Sequence, residues 1–471
     1  MNWNNRVFVA AQIAYVAVII AASALMPGAD IVSTATAMVG VWVLTSIVYR
    51  RFGACNNAGW WTLLAATSIL SVGVIANVHY FTTVLGGTTA EPVLCNADAH
   101  RYYYDALEWY GSPDGIPTRL SHRGYGLLIS GLWHITGVTI VSPLILNMTL
   151  TLLCIIMSGI ICRKLICGNT SHDAGQISTC AMIMTASVCY YLNSGTLLLK
   201  EAPLGFSLTL CFIGVSKLMY PVSDKRTQVN LWICFTIGLL FVTLLRFTFS
   251  FYILAAIVIF SFKNKDNLRV KMIMLLTCIA VCVTAKSILG SQYETSNIIT
   301  GNTLSSSFFY DEPQHQAHNE LFNGYFDFPW WKKLLLTPVS AGVQFLIPFP
   351  WGFDLYKDFG YTLAYARIGF PWYIIGGMII YYIFFSLKKS PAPLRYTIIW
   401  AALMWLIPAY LFAGTVSRYT LPLIPMLIPA AVYTFAEYRN RRSFHIYSIV
   451  FITLLAIALA TGFYIQQKAI A

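Results

Sequence analysis

The chain has 471 residues, of which 58% are hydrophobic and only 10% charged, and a formal net charge of +12. An ordinary soluble domain carries about 25% charged residues, so a water-solvated globular fold is excluded and lipid is the expected solvent. The basic excess is explained below by topology, and no nucleic-acid partner is needed to account for it.

Apolar runs long enough to cross a hydrocarbon core of about 30 Å recur from end to end. They predict helices over 7–26, 33–49, 60–80, 138–162, 175–193, 202–220, 229–246, 248–262, 271–289, 362–386, 395–413, 418–436 and 444–463. The predicted fold class is therefore an all-α polytopic membrane protein, a bundle of about 11–13 spans by length and hydropathy. The first run is too long for the h-region of a signal peptide and lacks a small-residue cleavage site behind it. With the N-terminus in the cytoplasm, the inner side holds 18 Lys and Arg against 4 Asp and Glu, and the outer side 12 against 14. This is the positive-inside asymmetry. Cysteine usage gives no disulfide framework, since only Cys95 falls clearly in an outer loop.

In this topology the inner loops are all short and two outer segments are long. The expected organisation is an N-terminal hairpin (1–59), a core (60–289) containing the outer loop 81–137, a second outer loop (290–361) and C-terminal spans (362–471). Chemistry is expected at the outer face. The first outer loop spends five ionisable residues, Asp98, Arg101, Asp105, Glu108 and Asp114, within seventeen positions. Asp98, Arg101, Tyr102, Asp105 and Trp109 recur at helical spacing and share one face. "GSPDGIP" then breaks the helix. A second amphipathic piece follows, with Leu127, Leu128, Leu132 and Ile135 on its apolar side, suited to lying at headgroup depth. On composition alone the loop also reads as an interfacial anchor.

Charges at the outer ends of other spans favour a site. Lys200 and Glu201 stand in "LLLKEAPL", Arg246 in "FVTLLRFTF" and Arg418 in "SRYTLPLIP". Each is costly near a bilayer and needs a partner or a purpose. Lys200, Arg246 and Arg418 come from separate helices at one predicted depth. Together they suit a phosphate or pyrophosphate, which cationic side chains bind through charge-assisted hydrogen bonds. Snorkelling side chains are the plainer alternative. A carboxylate beside such a pocket suits sugar transfer from a lipid phosphate: the cations offset the leaving charge and the carboxylate takes the acceptor's proton. No nucleotide-binding glycine motif is present. His315 and His318 in "DEPQHQAHNE" offer a weak H-x-x-H metal site, for Mg or Mn. The prolines of "LPLIPMLIP" should bend their helix.

In their order along the chain, "DAHRYYYDA", "RGYGLLISGLW", "LLLKEAPL", "FLIPFPW" and "SRYTLPLIP" resemble segments of GT-C class glycosyltransferases, over about residues 60–437. The resemblance is to bacterial members similar to the protein O-mannosyltransferase and aminoarabinose transferase superfamily. It implies a GT-C-like bundle with amphipathic juxtamembrane helices in the first large outer loop. It also implies a polyprenyl-phosphate-linked sugar donor, a glycan, lipid or protein acceptor, and an active site facing the periplasm of a bacterial inner membrane. Asp98 falls at the position of the catalytic base. Arg101, Tyr102, Asp105, His122, Arg123, Lys200, Glu201, Arg246, Arg418 and Tyr419 are the expected substrate contacts. Two departures are the added N-terminal hairpin and the single Asp98 where several relatives carry an acidic pair. Polymerisation of lipid-linked repeat units is an alternative within the enzyme class. A transporter or flippase of lipid-linked sugars is the alternative outside it, although the clean span centres and unequal outer loops differ from the repeats and midplane sites typical of transporters.

The topology makes a direct prediction. An impermeant thiol reagent added outside intact cells should modify Cys95 and leave Cys55 unmodified; modification of Cys55 from outside would overturn the orientation.

Overall fold

The computed structural model describes residues 3–24, 31–94, 97–111, 124–167, 173–216, 224–246, 249–261, 268–289, 328–346, 370–412 and 417–470. Helices make up nearly all of these residues, and no strand occurs among them. In chain order they are α1 (Trp3–Ser23), α2 (Ile31–Phe52), α3 (Asn57–His79), α4 (Ala97–Gly111), α5 (Gly124–Thr136), α6 (Val141–Ile166), α7 (Ala174–Ser187), α8 (Cys189–Ser194) and α9 (Glu201–Val215). Then come α10 (Lys225–Leu245), α11 (Ser250–Ser261), α12 (Leu268–Leu289), α13 (Trp330–Leu346), α14 (Phe370–Tyr381), α15 (Ala392–Phe412), α16 (Ile424–Tyr438) and α17 (Arg442–Ile470). Short π turns extend α3 to Val84 and α14 to Ser386, and a 3-10 turn over Ser417–Leu423 leads into α16.

Seven of the described helical segments are long and apolar enough to cross a membrane, which makes this an integral membrane protein. Each of the thirteen predicted runs falls mainly on helix over its described residues; 217–220 and 362–369 lie outside them. The fifth run is divided by a break at Val188, and the eighth is only twelve residues long as α11. At these prolines the chain changes from 3-10 to α geometry, with Pro422 inside the 3-10 turn, Pro425 in the first turn of α16 and Pro429 inside it.

Buried and lipid-facing helices differ in where their apolar residues point. α6 and α16 lie at the centre: α6 packs against α2, α3, α7, α9 and α16. The last helix, α17, is at the other extreme. None of the residues in its most apolar stretch is buried, and it is held to α14 by the Tyr447 hydroxyl donating to the Gly377 carbonyl at 2.8 Å.

Small residues set the closest helix pair. A Cβ at Gly238 on α10 would stand 2.5 Å from the Cys211 nitrogen on α9, and one at Gly214 would stand 2.6 Å from the Phe235 Cβ. Packing of this kind replaces the hydrophobic drive that lipid removes. The same antiparallel register places the end of α10, with Arg246, beside the start of α9, with Lys200 and Glu201.

The segment 290–361 contains an unexpected helix, α13, packed on α15. Its buried positions are Lys333, Thr337 and Ser340, while Trp331, Leu334, Leu335 and Val339 are exposed. Apart from Lys332, exposed near the start of the helix, the described polar residues face protein and the large apolar ones face out, the reverse of a water-soluble helix.

Gly238→Val should force α9 and α10 apart at a cost of about 1–3 kcal/mol. Thermal unfolding in detergent should show the loss, with Gly40→Val, where no atom lies within 4 Å of the added carbon, as the tolerated control.

Candidate functional site

The site lies at the bundle end that the charge pattern assigns to the outside. α4 forms there because its sequence places Tyr102, Asp105 and Trp109 on one face. All three are buried, with Asp98 half-buried in the first turn and Arg101 exposed at the edge. The carboxylate at the helix start is favoured by the helix dipole. α5 packs against α4 with little between them: a Cβ at Gly126 would lie 3.1 Å from the Asp105 Cβ. The two helices share a T-shaped ring pair, Tyr102 with Tyr125, at 5.2 Å.

α5 buries Tyr125, Ile129 and Trp133 towards the protein. The leucines that marked it in the sequence, Leu127, Leu128 and Leu132, are half-exposed, and Ile135 is 84% exposed. They form the outward face of α5. Gly137, at φ 74°, ends the helix and turns the chain into α6. The Trp133 indole donates to the Thr139 carbonyl at 2.9 Å across this turn. Gly124 abuts the Leu244 carbonyl, which seats the start of α5 on the last turn of α10.

Lys200 and Glu201 enter from below. Both are buried. The turn carrying them is tied down by two amides from neighbouring spans. Asn77 on α3 donates to the Thr196 carbonyl at 2.7 Å. Asn147 on α6 donates to the Leu197 carbonyl at 2.7 Å and the Leu199 carbonyl at 2.9 Å. Gly195 lets this turn press on Thr151, whose Oγ1 would lie 2.5 Å from an added Cβ. So held, the Lys200 ammonium sits 5.3 Å from the centre of the Tyr102 ring, within cation–π range. Burial pushes the Tyr125 phenol well above its ordinary pKa; the nearby Asn147 side chain opposes the shift and the Glu201 carboxylate adds to it. The phenol therefore stays protonated and available as a donor.

Arg246 ends α10 in an extended conformation, half-buried, with its guanidinium 5.6 Å from the Phe249 ring. Arg418 belongs to the 3-10 turn, which packs on α9. Pro422 meets Gly205, and Thr209 Oγ1 meets Met426 Sδ at 3.7 Å, so α9 and the turn leading into α16 run in parallel register. One turn earlier, the backbone at 418 stands level with Glu201. The side chains of Arg418 and Tyr419 are outside the described residues, as are His122, Arg123, His315 and His318.

The structure thus brings Asp98, Arg101, Tyr102, Asp105, Lys200, Glu201 and Arg246 to one end of the bundle. Asp105 is turned into the α4–α5 interface, with Arg101 3.8 Å away, a geometry suited to fixing α4. Glu108 is exposed. Asn77, Asn147 and Tyr125 are the residues that the sequence reading passed over. An amide inside an otherwise apolar run was the signal for the first two. Among the described residues no group of three or more His, Cys, Asp or Glu could hold a metal ion. Compared with protein-family models, characterised proteins and solved structures, the chain matches none.

Asn147→Leu should strand the carbonyls of Leu197 and Leu199. The expected loss is about 1–3 kcal/mol for each buried acceptor left without a donor, read as a lower unfolding temperature in detergent. An unchanged transition would mean that the amides do not hold the turn.

Proposed function

We propose that the chain is a GT-C-type glycosyltransferase of a bacterial inner membrane. On this reading it moves a sugar from a polyprenyl-phosphate donor to a hydroxyl of a glycan, lipid or protein acceptor at the outer face. The observation that carries the reading is Lys200, a buried ammonium held under the Tyr102 ring, one helical turn from Asp98.

The acceptor oxygen attacks the anomeric carbon, and the bond from that carbon to the phosphate oxygen breaks with its electron pair leaving on the phosphate. Asp98 takes the acceptor's proton as general base. Lys200 and Arg246 offset the charge growing on the phosphate, with Arg418 on the third element at the same level. A donor headgroup enters from the lipid, so its phosphate arrives at the depth where α9 begins and α10 ends. Tyr102, between Asp98 and Lys200, orients the carboxylate or contacts the sugar. The spent polyprenyl phosphate stays in the bilayer, and the energy of the donor bond drives transfer without a nucleotide.

Asp98→Asn keeps the side-chain shape and removes its basicity. In a glycan-transfer assay with purified protein and a polyprenyl-phosphate sugar, its rate should fall about 10²–10⁴-fold with the protein still folded and donor-bound. Arg246→Ala should lose about 2–4 kcal/mol of transition-state stabilisation, and Arg246→Lys should recover part of it. Near-wild-type turnover in Asp98→Asn with loss in Asp105→Asn would move the base one step along α4. Full activity in Asp98→Asn, Asp105→Asn and Arg246→Ala together would remove the proposal.

A further inference from the structure

At the opposite, basic end of the bundle, α1, α2 and α3 line an open cleft of about 720 Å³, within the size range of small-molecule sites. Its walls include Phe8, Trp42, Trp60 and Trp61, with Arg50 at the rim. The aromatic wall is fixed by edge contacts: Phe8 to Trp61 at 5.1 Å and Tyr49 to Trp60 at 4.8 Å. Nothing proposed for the outer site uses this cleft.

The lining of α2 changes character with depth. Arg50, Ser46 and Val43 line the cleft at spacings of four and three residues, one face of the helix, and Trp42 lies one residue deeper. Arg50 is at the helix end and exposed. Ser46 sits one turn in, about 6 Å along the axis, and its buried hydroxyl has no hydrogen-bond partner among the described residues. Val43 and Trp42 continue into the apolar region. Ile47 and, one turn beyond Phe8 on α1, Gln12 share the lining, so a cation at the helix end stands above a mainly aromatic and aliphatic wall, which complements a phosphate above an ester-linked acyl chain.

The surrounding charge has the sign this ligand needs. Arg6 precedes the cleft-lining Val7, Arg51 follows Arg50, and Arg163 on α6 donates to the Phe52 carbonyl at 3.3 Å. Asp173 at the same end is engaged as the N-cap of α7, accepting from the Gln176 amide. Basic pockets between spans on the cytoplasmic side hold anionic headgroups, and Trp is favoured at headgroup depth. We infer that this cleft is a binding site for one anionic glycerophospholipid of the inner leaflet, its phosphate at Arg50 and its chain against Trp42, Trp60 and Trp61.

The test uses the full chain in neutral detergent micelles, titrated with phosphatidylglycerol or with phosphatidylcholine of the same acyl chains. Native mass spectrometry counts retained lipid. Maleimide modification of Cys55, which lines the cleft and is exposed, followed at the peptide level, reports occupancy. Phosphatidylglycerol should be retained at one per chain and should slow modification of Cys55, with phosphatidylcholine having the weaker effect on both. Arg50→Gln should weaken phosphatidylglycerol retention about fivefold, the worth of one basic group at an anionic surface, and leave phosphatidylcholine unchanged. Equal effects of the two lipids, or an unaltered response in Arg50→Gln, would overturn the assignment. Protection of Cys55 that rises with protein concentration in the absence of lipid would identify a second copy as the occupant and overturn it as well.

Discussion

Two carboxamides carry the arrangement on which the outer site rests. In a bilayer no water completes an open backbone, so a non-helical turn at membrane depth needs donors from the protein itself. The turn before α9 receives them from Asn77 and Asn147, on two different spans. Because those donors are buried and their alternative is an unsatisfied amide in hydrocarbon, the turn has one favourable position. Lys200 is therefore placed by α3 and α6, not by its own helix. The Tyr102 ring then covers its ammonium from above.

Amide ties occur at both ends of the same helices. Asn56 caps α3 by accepting from the Gly59 amide at 2.7 Å, donates to the Gly175 carbonyl at 3.0 Å and accepts from the Thr179 hydroxyl at 2.8 Å. That joins α3 to α7 at the basic end, as Asn77 and Asn147 join α3 and α6 to the turn at the other. Between these ends the bundle is held by close packing at glycines and by ring contacts. The polar ties set the axial position of the helices, and the packing sets their spacing.

Much of the fold is legible in the sequence because lipid is a demanding solvent. Length and hydropathy alone place thirteen helical runs, and charge asymmetry alone proposes their orientation. Of the α4 face read from the spacing of Asp98, Arg101, Tyr102, Asp105 and Trp109, the last three are buried, Asp98 is half-buried and Arg101 is exposed at the edge. Two things were not readable. The leucine side of α5 was read as the side lying at headgroup depth, and it is half-exposed; what was not readable is that the packing face bears Tyr125, Ile129 and Trp133, because lipid is as apolar as Leu and does not drive leucine inward. α13 was hidden for the same reason: its Lys333, Thr337 and Ser340 dilute the hydropathy of a helix whose outer face is apolar. At the site, the charged residues stood out, since charge is rare in this chain. The neutral amides that position them did not.

The reversed polarity of α13 also bears on the order of assembly. A helix that must hide Lys333, Thr337 and Ser340 has no favourable isolated state in hydrocarbon. Its partner α15 begins roughly fifty residues later in the chain, a delay on the order of seconds at ordinary rates of synthesis. During that interval the segment has an apolar side seeking lipid and a polar side with nothing to meet it. Until α15 is made, the water boundary accommodates both sides of α13, and its packing on α15 can form only after that.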